Sequence, residues 1–306
     1  MKKVFNVSFV LAHILLIALI VTVLYPGQKA VQPNAAFLTG MGVIELLYIY
    51  KLWSSLRKEK SVQAPSDIVA LVWAFLLVWE LFVTQLDVMH PVLVPSPEDV
   101  FHVFATQYKT LAEGVISSLQ LLLTGFFLGL SLGVILGLPA GWIPRLRDVS
   151  YPIANVLTPI PPVVFAPYLI AIMPTFRSAS ALVILLGIFW PTFLGMIIRV
   201  GSIDSRILES AKALNVNNRT MISRILFPYV LPGVVSGLKV SLTTSVIMLT
   251  FAEMMGATKG MGFYIINYTH YANYTNVVAG FIVVGVVVTF LNWIVSSIQA
   301  KAIKWR

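Results

Sequence analysis

Long apolar runs alternate with short polar segments along the whole chain. Eight of these runs hold about 17 residues or more, which is enough for a helix to cross the hydrocarbon core of a bilayer. The runs cover residues 4–24, 37–53, 68–86, 115–142, 152–173, 179–198, 234–255 and 277–298. The pattern predicts an all-α integral membrane protein with about eight transmembrane helices.

The longest polar interruption in the second half of the chain lies at residues 201–233. Residues 202–205 offer side chains that can cap a first short helix, and Asn215 ends that helix because asparagine tolerates the left-handed conformation. The next asparagines can cap a second short helix, which is limited by Pro228 and Pro232. Such a helix-turn-helix is suited to a groove in another protein. From composition alone, a solvated loop on the membrane surface is the simpler interpretation.

The basic residues test this division into spans. If both termini are cytoplasmic, only four of the 21 Lys and Arg residues fall in outer loops, and the other 17 fall on the inner side. The outer four are Lys29, Lys109, Arg177 and Lys259. This bias agrees with the positive-inside rule, so the polar segment at 201–233 is predicted to face the cytoplasm.

Composition narrows the functional class. Hydrophobic residues make up 58% of the chain and charged residues only 11%, so a soluble globular protein is excluded. The lack of cysteine and the scattered histidines argue against a metal site. The net charge of +9 is not clustered on an aromatic platform, so we expect no nucleic-acid partner. The expected environment is the lipid bilayer.

Several polar or helix-breaking residues are predicted at membrane depth, where such groups normally face protein or water. The candidate translocation path consists of Thr158, Pro161, Thr192, Thr243, Thr244, Ser245 and Glu253. Helix packing is an alternative role for the hydroxyl groups, and Glu253 fits either a gate or a structural hydrogen bond. For Glu45 and Glu80, a structural or interfacial role is the simpler interpretation. Glycines repeated every four residues from Gly125 to Gly141 predict close approach of another helix.

No pattern of a catalytic site is present. The chain has no G-x-x-x-x-G-K-[ST] motif that could hold ATP phosphates, no H-E-x-x-H and no G-x-S-x-G. A membrane enzyme is therefore disfavoured. A scaffold that recruits a cytoplasmic ATPase without moving a solute remains an alternative.

Particular stretches of the sequence resemble a known family. Glu209-Ser210-Ala211-Lys212-Ala213-Leu214-Asn215 is similar to the EAA loop of ABC-transporter permease subunits, with Ser210 in place of the usual alanine and Asn215 in place of the usual glycine. Further stretches look like permeases that serve nitrate, sulfonate and taurine uptake: Leu93-Val94-Pro95-Ser96-Pro97, Pro159 to Pro167, Ala252 to Ala257, Gly260-Met261-Gly262-Phe263-Tyr264 and Lys304-Trp305-Arg306.

The resemblance implies an architecture. Residues 66–306 would form a six-helix importer-type permease domain, with a cytoplasmic coupling loop at 201–233, and residues 1–65 would add two N-terminal helices of unknown role. The outer turn at Met173-Pro174-Thr175-Phe176 departs from the family pattern. The residues implied to couple to the ATPase are Glu209, Ser210, Ala211, Asn215, Arg219, Arg224 and Pro228. Glu209 would fix contacts within the loop, Ala211 would permit a close approach, and Asn215 would set the turn.

The resemblance also implies partners and a place of action. We expect two ATP-binding cassette subunits that carry ATP and Mg, a second permease copy forming a homodimer, and an extracytoplasmic solute-binding protein. The chain itself would bind no cofactor and would lie in the bacterial inner membrane with both termini in the cytoplasm. The cargo implied is a small anion such as sulfonate, taurine or nitrate, with a vitamin precursor or another nutrient as the alternative.

Overall fold

The computed structural model describes residues 6–57 and 61–302. Within these ranges every regular element is a helix, and there is no β-strand. The helices are α1 (Val7–Leu24), α2 (Ala35–Arg57), α3 (Gln63–Glu80), α4 (Pro97–Thr106), α5 (Tyr108–Trp142), α6 (Pro144–Leu157), α7 (Ala166–Ile172), α8 (Phe176–Gly201), α9 (Ser205–Ala213), α10 (Asn218–Thr220), α11 (Phe227–Met254), α12 (Met261–His270) and α13 (Tyr274–Ala302). Some predicted features lie outside the described residues, namely the bases Lys2, Lys3, Lys58, Lys60, Lys304 and Arg306 and the terminal Lys304-Trp305-Arg306 motif.

The number of membrane spans agrees with the sequence pattern. Among the described residues, seven helices are long and apolar enough to cross a bilayer. The pair α6 and α7 passes the same test together but is bent by 78° between its two halves. The prolines Pro159, Pro161 and Pro162 lie at this bend, where each removes a backbone donor. The predicted fifth span is therefore a broken helix, and the prediction of about eight spans is confirmed if the pair counts as one.

The chain divides into two compact units, of which unit 1 comprises Met1–Leu111 and Ile265–Ile282. Its core is formed by α1, α2 and α3, around Trp73, Phe37 and Leu19, which are fully buried. The predicted domain boundary at residue 65 follows the family resemblance and stays a prediction. The helices before that boundary pack against α3, so unit 1 combines them with the segment that follows.

Unit 2 comprises Ala112–Tyr264 and Val283–Arg306. A ridge of glycines on α5 lies directly against α8. A Cβ added at Gly137 would lie 2.6 Å from the Cβ of Met196, and one added at Gly133 would lie 2.8 Å from that of Thr192. The same holds at Gly125, Gly129 and Gly141. The predicted close helix approach is confirmed, and its partner is α8.

Candidate functional site

The polar segment between α8 and α11 begins with a well-capped short helix. The side chain of Asp204 accepts a hydrogen bond from the backbone N–H of Arg206 at 2.9 Å and caps α9. The guanidinium of Arg206 also bonds to this carboxylate, with Nη2 2.7 Å from Oδ2. These contacts hold the pKa of Asp204 below its ordinary value. Of the three capping candidates in the sequence, the structure selects Asp204.

The turn after α9 is built around Asn215, which has a φ of 49°. Its N–H bonds to the carbonyl of Lys212, and the next N–H, of Val216, bonds to the carbonyl of Ala211. This pair of bonds is the Schellman motif, in which a left-handed residue closes a helix. The side chain of Asn217 then caps α10 by accepting from the N–H of Thr220 at 2.8 Å. The conformation expected of Asn215 is confirmed.

The base of this segment is packed onto the ends of the neighbouring spans. Ala211 is buried in one cluster with Met221 and Leu226 of the same segment, and with Leu138 of α5 and Met196 of α8. The segment folds over the small side chain of Ala211. This side chain is therefore buried and cannot contact another chain. The helix-turn-helix is therefore joined to α5 and α8 by apolar contact as well as by the backbone.

Several side chains of the segment are exposed. Leu214 is 77% exposed, and Ile207 on the same side of α9 is 37% exposed. Glu209 is exposed and forms no hydrogen bond or ion pair within residues 6–57 and 61–302, so the internal contacts expected of it are not seen. The other exposed residues of the predicted coupling set are Ser210, Arg219, Arg224 and Pro228.

The second short helix does not end where the sequence predicted. Residues Asn218–Met254 form one continuous helix of 37 residues, so Pro228 and Pro232 lie inside it. A π-helical segment, Met221–Leu226, directly precedes Pro228. The wider turn makes room for the proline ring, which would otherwise crowd the carbonyl of the preceding turn. The polar segment is thus continuous with the span that follows it.

Three of the predicted path residues meet at one place. Thr158, Pro161 and Thr244 line a cavity of about 200 Å³ at the bend between α6 and α7. Trp190 and Met248 complete its apolar wall. The break in the helix and the polar groups therefore coincide, as expected where irregular backbone borders a path.

The three other hydroxyl-bearing path candidates lie elsewhere in unit 2. The Cβ and methyl group of Thr192 lie against Gly133 of α5. Thr243 is bonded to Asn292 of α13 at 3.3 Å, and the buried Ser245 donates to a carbonyl of its own helix, that of Ser241, at 2.8 Å. These three residues do not meet at the cavity.

Glu253 is fully buried and ties α11 to two other segments. Its Oε1 accepts from the Ser118 hydroxyl of α5 at 2.6 Å, and its Oε2 accepts from the N–H of Gly262 at 2.8 Å. The N–H of Met261 donates to the Ser118 hydroxyl at 2.8 Å. Gly260 has a φ of 136° and leaves no room for a Cβ beside the Glu253 carboxyl. Of the two roles open from the sequence, the structure supports the hydrogen-bonding one.

Two residues of this unit were missed from the sequence. Ser118 is one hydroxyl among many on an apolar helix, and no spacing distinguishes it. Arg199 Nη2 donates to the carbonyl of Gly233 at 3.1 Å and links α8 to α11 at the root of the coupling segment. Its position in the last turn of α8 was visible, but its contact depends on the space left by Gly233.

Similarity to known proteins covers most of this architecture. Residues 129–304, more than half of the chain, match the family described as "Binding-protein-dependent transport system inner membrane component". The aliphatic sulfonates transport permease protein SsuC of Bacillus subtilis is 26% identical, over 81% of this chain and 87% of that protein. The taurine transport system permease protein TauC of Escherichia coli is 24% identical, over 73% of this chain and 84% of that protein. The nitrate import permease protein NrtB of Leptolyngbya laminosa is 25% identical, over 62% and 68%.

A solved structure shares the fold. A chain of the inward-facing MetNI methionine ABC transporter superposes with a TM-score of 0.51 at 20% identity, covering 63% of this chain and 94% of that chain. The matched family region contains the polar segment 201–233, the ridge glycines from Gly129 to Gly141 and the broken helix with its cavity. The chain therefore belongs to the family of binding-protein-dependent transport system inner membrane components and is the permease component of an ABC transporter.

Proposed function

We propose that the chain forms the translocation path of an ATP-driven importer for a small anion of the sulfonate, taurine or nitrate type. Two identical copies would span the inner membrane of a bacterium, with both termini in the cytoplasm. A separate ATP-binding cassette subunit would dock on each copy and hydrolyse ATP with Mg, and an extracytoplasmic binding protein would deliver the solute. The alternative cargoes remain a vitamin precursor or another nutrient.

The observation that carries this proposal is the set of exposed side chains on the polar segment 201–233, which we call the coupling segment. Ala211 packs on α5 and α8, whereas Leu214 is 77% exposed and Ile207 37% exposed. The segment also carries exposed charges that have no partner in the described part of the chain: Glu209, Lys212, Arg219 and Arg224. Exposed apolar side chains together with unpaired charges are typical of a protein interface.

The proposed motion follows from the same contacts. Closure of the two ATPase subunits would displace the docked segments, and each segment would move with the ends of α5 and α8. Because α10 continues without a break into α11, the displacement would pass directly to a span that borders the cavity through Thr244 and Met248. The glycine ridge would keep α5 and α8 together during this movement.

The proposed class of cargo is based on the names of similar proteins. Three of these names specify aliphatic sulfonates, taurine and nitrate. All three solutes are small and carry an anionic oxygen group. The cavity at the bend is lined by Thr158, Thr244 and otherwise mostly apolar residues, and no carboxylate that would repel an anion is among its described lining residues.

The test is solute-stimulated ATP hydrolysis by the complex of the permease, ATPase and binding protein in lipid bilayers. Sulfonates, taurine, nitrate and a vitamin precursor form the panel, and wild type is compared with Leu214→Glu. We expect one anion to stimulate hydrolysis in wild type and the stimulation to fall at least about tenfold in the variant, because a charge replaces the exposed apolar centre of the interface.

The matched control is Val88→Glu, which places the same charge at an exposed valine in the segment between α3 and α4. This variant should keep wild-type stimulation. Stimulation by the vitamin precursor alone would overturn the cargo proposal. Equal stimulation in wild type and Leu214→Glu would overturn the docking role of the segment. If no solute stimulates hydrolysis in either protein, the scaffold interpretation is preferred.

A further inference from the structure

Two carboxyl groups of unit 1 are buried against each other. Glu80 is 0% exposed and Glu98 is 1% exposed. Glu80 is the last residue of α3, Glu98 lies in the first turn of α4, and each carboxyl group contacts a side chain of the turn Leu81–Gln85. We call these two side chains the carboxyl pair. Two ionised carboxylates in contact repel strongly when water is excluded, so the pair requires a proton or a cation.

A π-helical turn supplies donors to part of the carboxyl pair. The turn covers Leu81–Gln85, directly after α3. Its Thr84 hydroxyl donates to Oε2 of Glu98 at 3.1 Å, and its Gln85 amide lies 3.4 Å from Oε1 of Glu80. The amide also donates to the carbonyl of Thr22 at 2.8 Å, which fixes its orientation.

One oxygen of the pair has no donor at all. Oε2 of Glu80 is fully buried and lacks a hydrogen-bond partner within the described ranges. Burial of an acceptor without a donor costs free energy, so such atoms are rare. A hydrogen atom carried by a neighbouring group can satisfy such an acceptor. A hydroxyl proton on Glu98 is such a group, because adjacent residues of one turn, Thr84 and Gln85, contact the two carboxyl groups and bring them together.

Within residues 6–57 and 61–302 no positive charge forms an ion pair with the carboxyl pair. Lys29 is held nearby through its backbone, since its N–H bonds to the carbonyl of Thr84 at 3.2 Å. On α4, Asp99 accepts from the N–H of Gln32 at 2.9 Å, and His102 lies one turn further along. None of these groups, nor any Lys or Arg in the part of the chain that the structure describes, forms an ion pair with the carboxyl pair.

We propose that the carboxyl pair is a binding site for a single proton, which is held between Glu98 and Glu80 and fastens the N-terminus of α4 to the end of α3. Loss of the proton leaves two negative charges in a buried site and pushes the two helices apart. The site is independent of the cargo and of the coupling segment.

The strength of proton binding agrees with this role. Burial raises the pKa of the Glu98 carboxyl to about 8, and the negative charge of Glu80 adds to the rise. Because the folded chain holds the proton to a higher pH than the unfolded chain, its contribution to stability is complete below the ordinary pKa of glutamic acid. The contribution is lost as the pH rises through about 8.

The direct test is infrared spectroscopy of the full chain in lipid bilayers at pH 7, where a protonated carboxyl has a carbonyl band that shifts in deuterium oxide. Wild type should show this band, and Glu98→Gln should lack the part due to the pair. The matched control Asp99→Asn, one residue away, should keep it. Identical spectra for wild type and Glu98→Gln would mean that the pair is ionised and would overturn the proposal.

Thermal unfolding gives a second measurement. The apparent Tm of wild type should fall by at least about 4 °C between pH 5 and pH 9, and Glu98→Gln should be much less sensitive because its amide keeps the donor at every pH. Asp99→Asn should behave like wild type. Failure of Glu98→Gln to fold at pH 6 would also contradict the proposal, since the amide has the shape of the protonated acid. Neither measurement depends on transport.

Discussion

The carboxylate of Glu253 ties together segments that are far apart in sequence. Ser118, its donor on α5, is 135 positions away. The same hydroxyl accepts a hydrogen bond from the N–H of Met261. One Ser side chain therefore joins α5, the end of α11 and the start of α12. The glycines on either side of Met261 let the backbone come this close, which gives the Gly260-Met261-Gly262 sequence a structural reason.

We predict that Ser118→Ala destabilises the chain by about 1–3 kcal/mol, because a buried acceptor and a buried donor both lose their partner. The matched control is Ser117→Ala on the same helix, for which the structure gives no side-chain hydrogen bond within residues 6–57 and 61–302. Thermal unfolding of both variants in the same lipid checks the difference. Equal loss in the two variants would contradict the role assigned to Ser118.

Glu253 also marks the limit of sequence reasoning for single residues. Its isolation among apolar neighbours identified it as important, but a gate and a structural bond were equally consistent with that isolation. The answer depends on Ser118, which no motif connects to it. By contrast, the left-handed turn at Asn215 depends on local chemistry, and the sequence predicted it; for the cap of α9 the sequence left three candidates, of which Asp204 is the one used.

The glycine ridge shows the same contrast for helices. The four-residue spacing on α5 predicted that some helix would approach closely, because small residues are what membrane helices use for contact. The spacing contains no information on which helix approaches. The partner, α8, follows from packing, where Met196 and Thr192 fill the places that side chains would take.

Gly137→Leu should destabilise unit 2, since a Cβ there would lie 2.6 Å from the Cβ of Met196. Overpacking of this kind typically costs about 1–3 kcal/mol. Gly285→Leu on α13 is the control, because nothing lies within 4 Å of a Cβ at that site. The yield and Tm of the two purified variants decide the matter. If both behave like wild type, the ridge is not a tight contact.

For the molecule as a whole, hydropathy and charge predicted the helical fold and about eight spans. They did not predict the bend of 78° in the proline-rich span, because prolines permit either a kink or a break. Nor did they predict the two compact units, whose members come from distant parts of the chain. Such groupings are set by contacts between helices, which hydropathy does not record.

The sidedness of the chain can be measured directly, because it contains no cysteine. A single cysteine at Leu214 should react with a membrane-impermeant maleimide only after the cytoplasmic side is opened. A cysteine at Val88 should react in sealed, right-side-out preparations. Both side chains are well exposed, so access to the reagent reports the side and not burial. The reverse pattern would contradict the predicted orientation of both termini.

The continuous helix Asn218–Met254 has a mechanical consequence. At 1.5 Å per residue, its 37 residues extend about 55 Å, whereas the hydrocarbon core is only about 30 Å thick. The helix is therefore longer than the hydrocarbon core, and its first residues lie in the polar segment 201–233. A rigid tilt of about 5° about this first end would move the other end by roughly 5 Å over that length. Glu253 lies near that other end, so the loop held by its carboxylate would move with the helix.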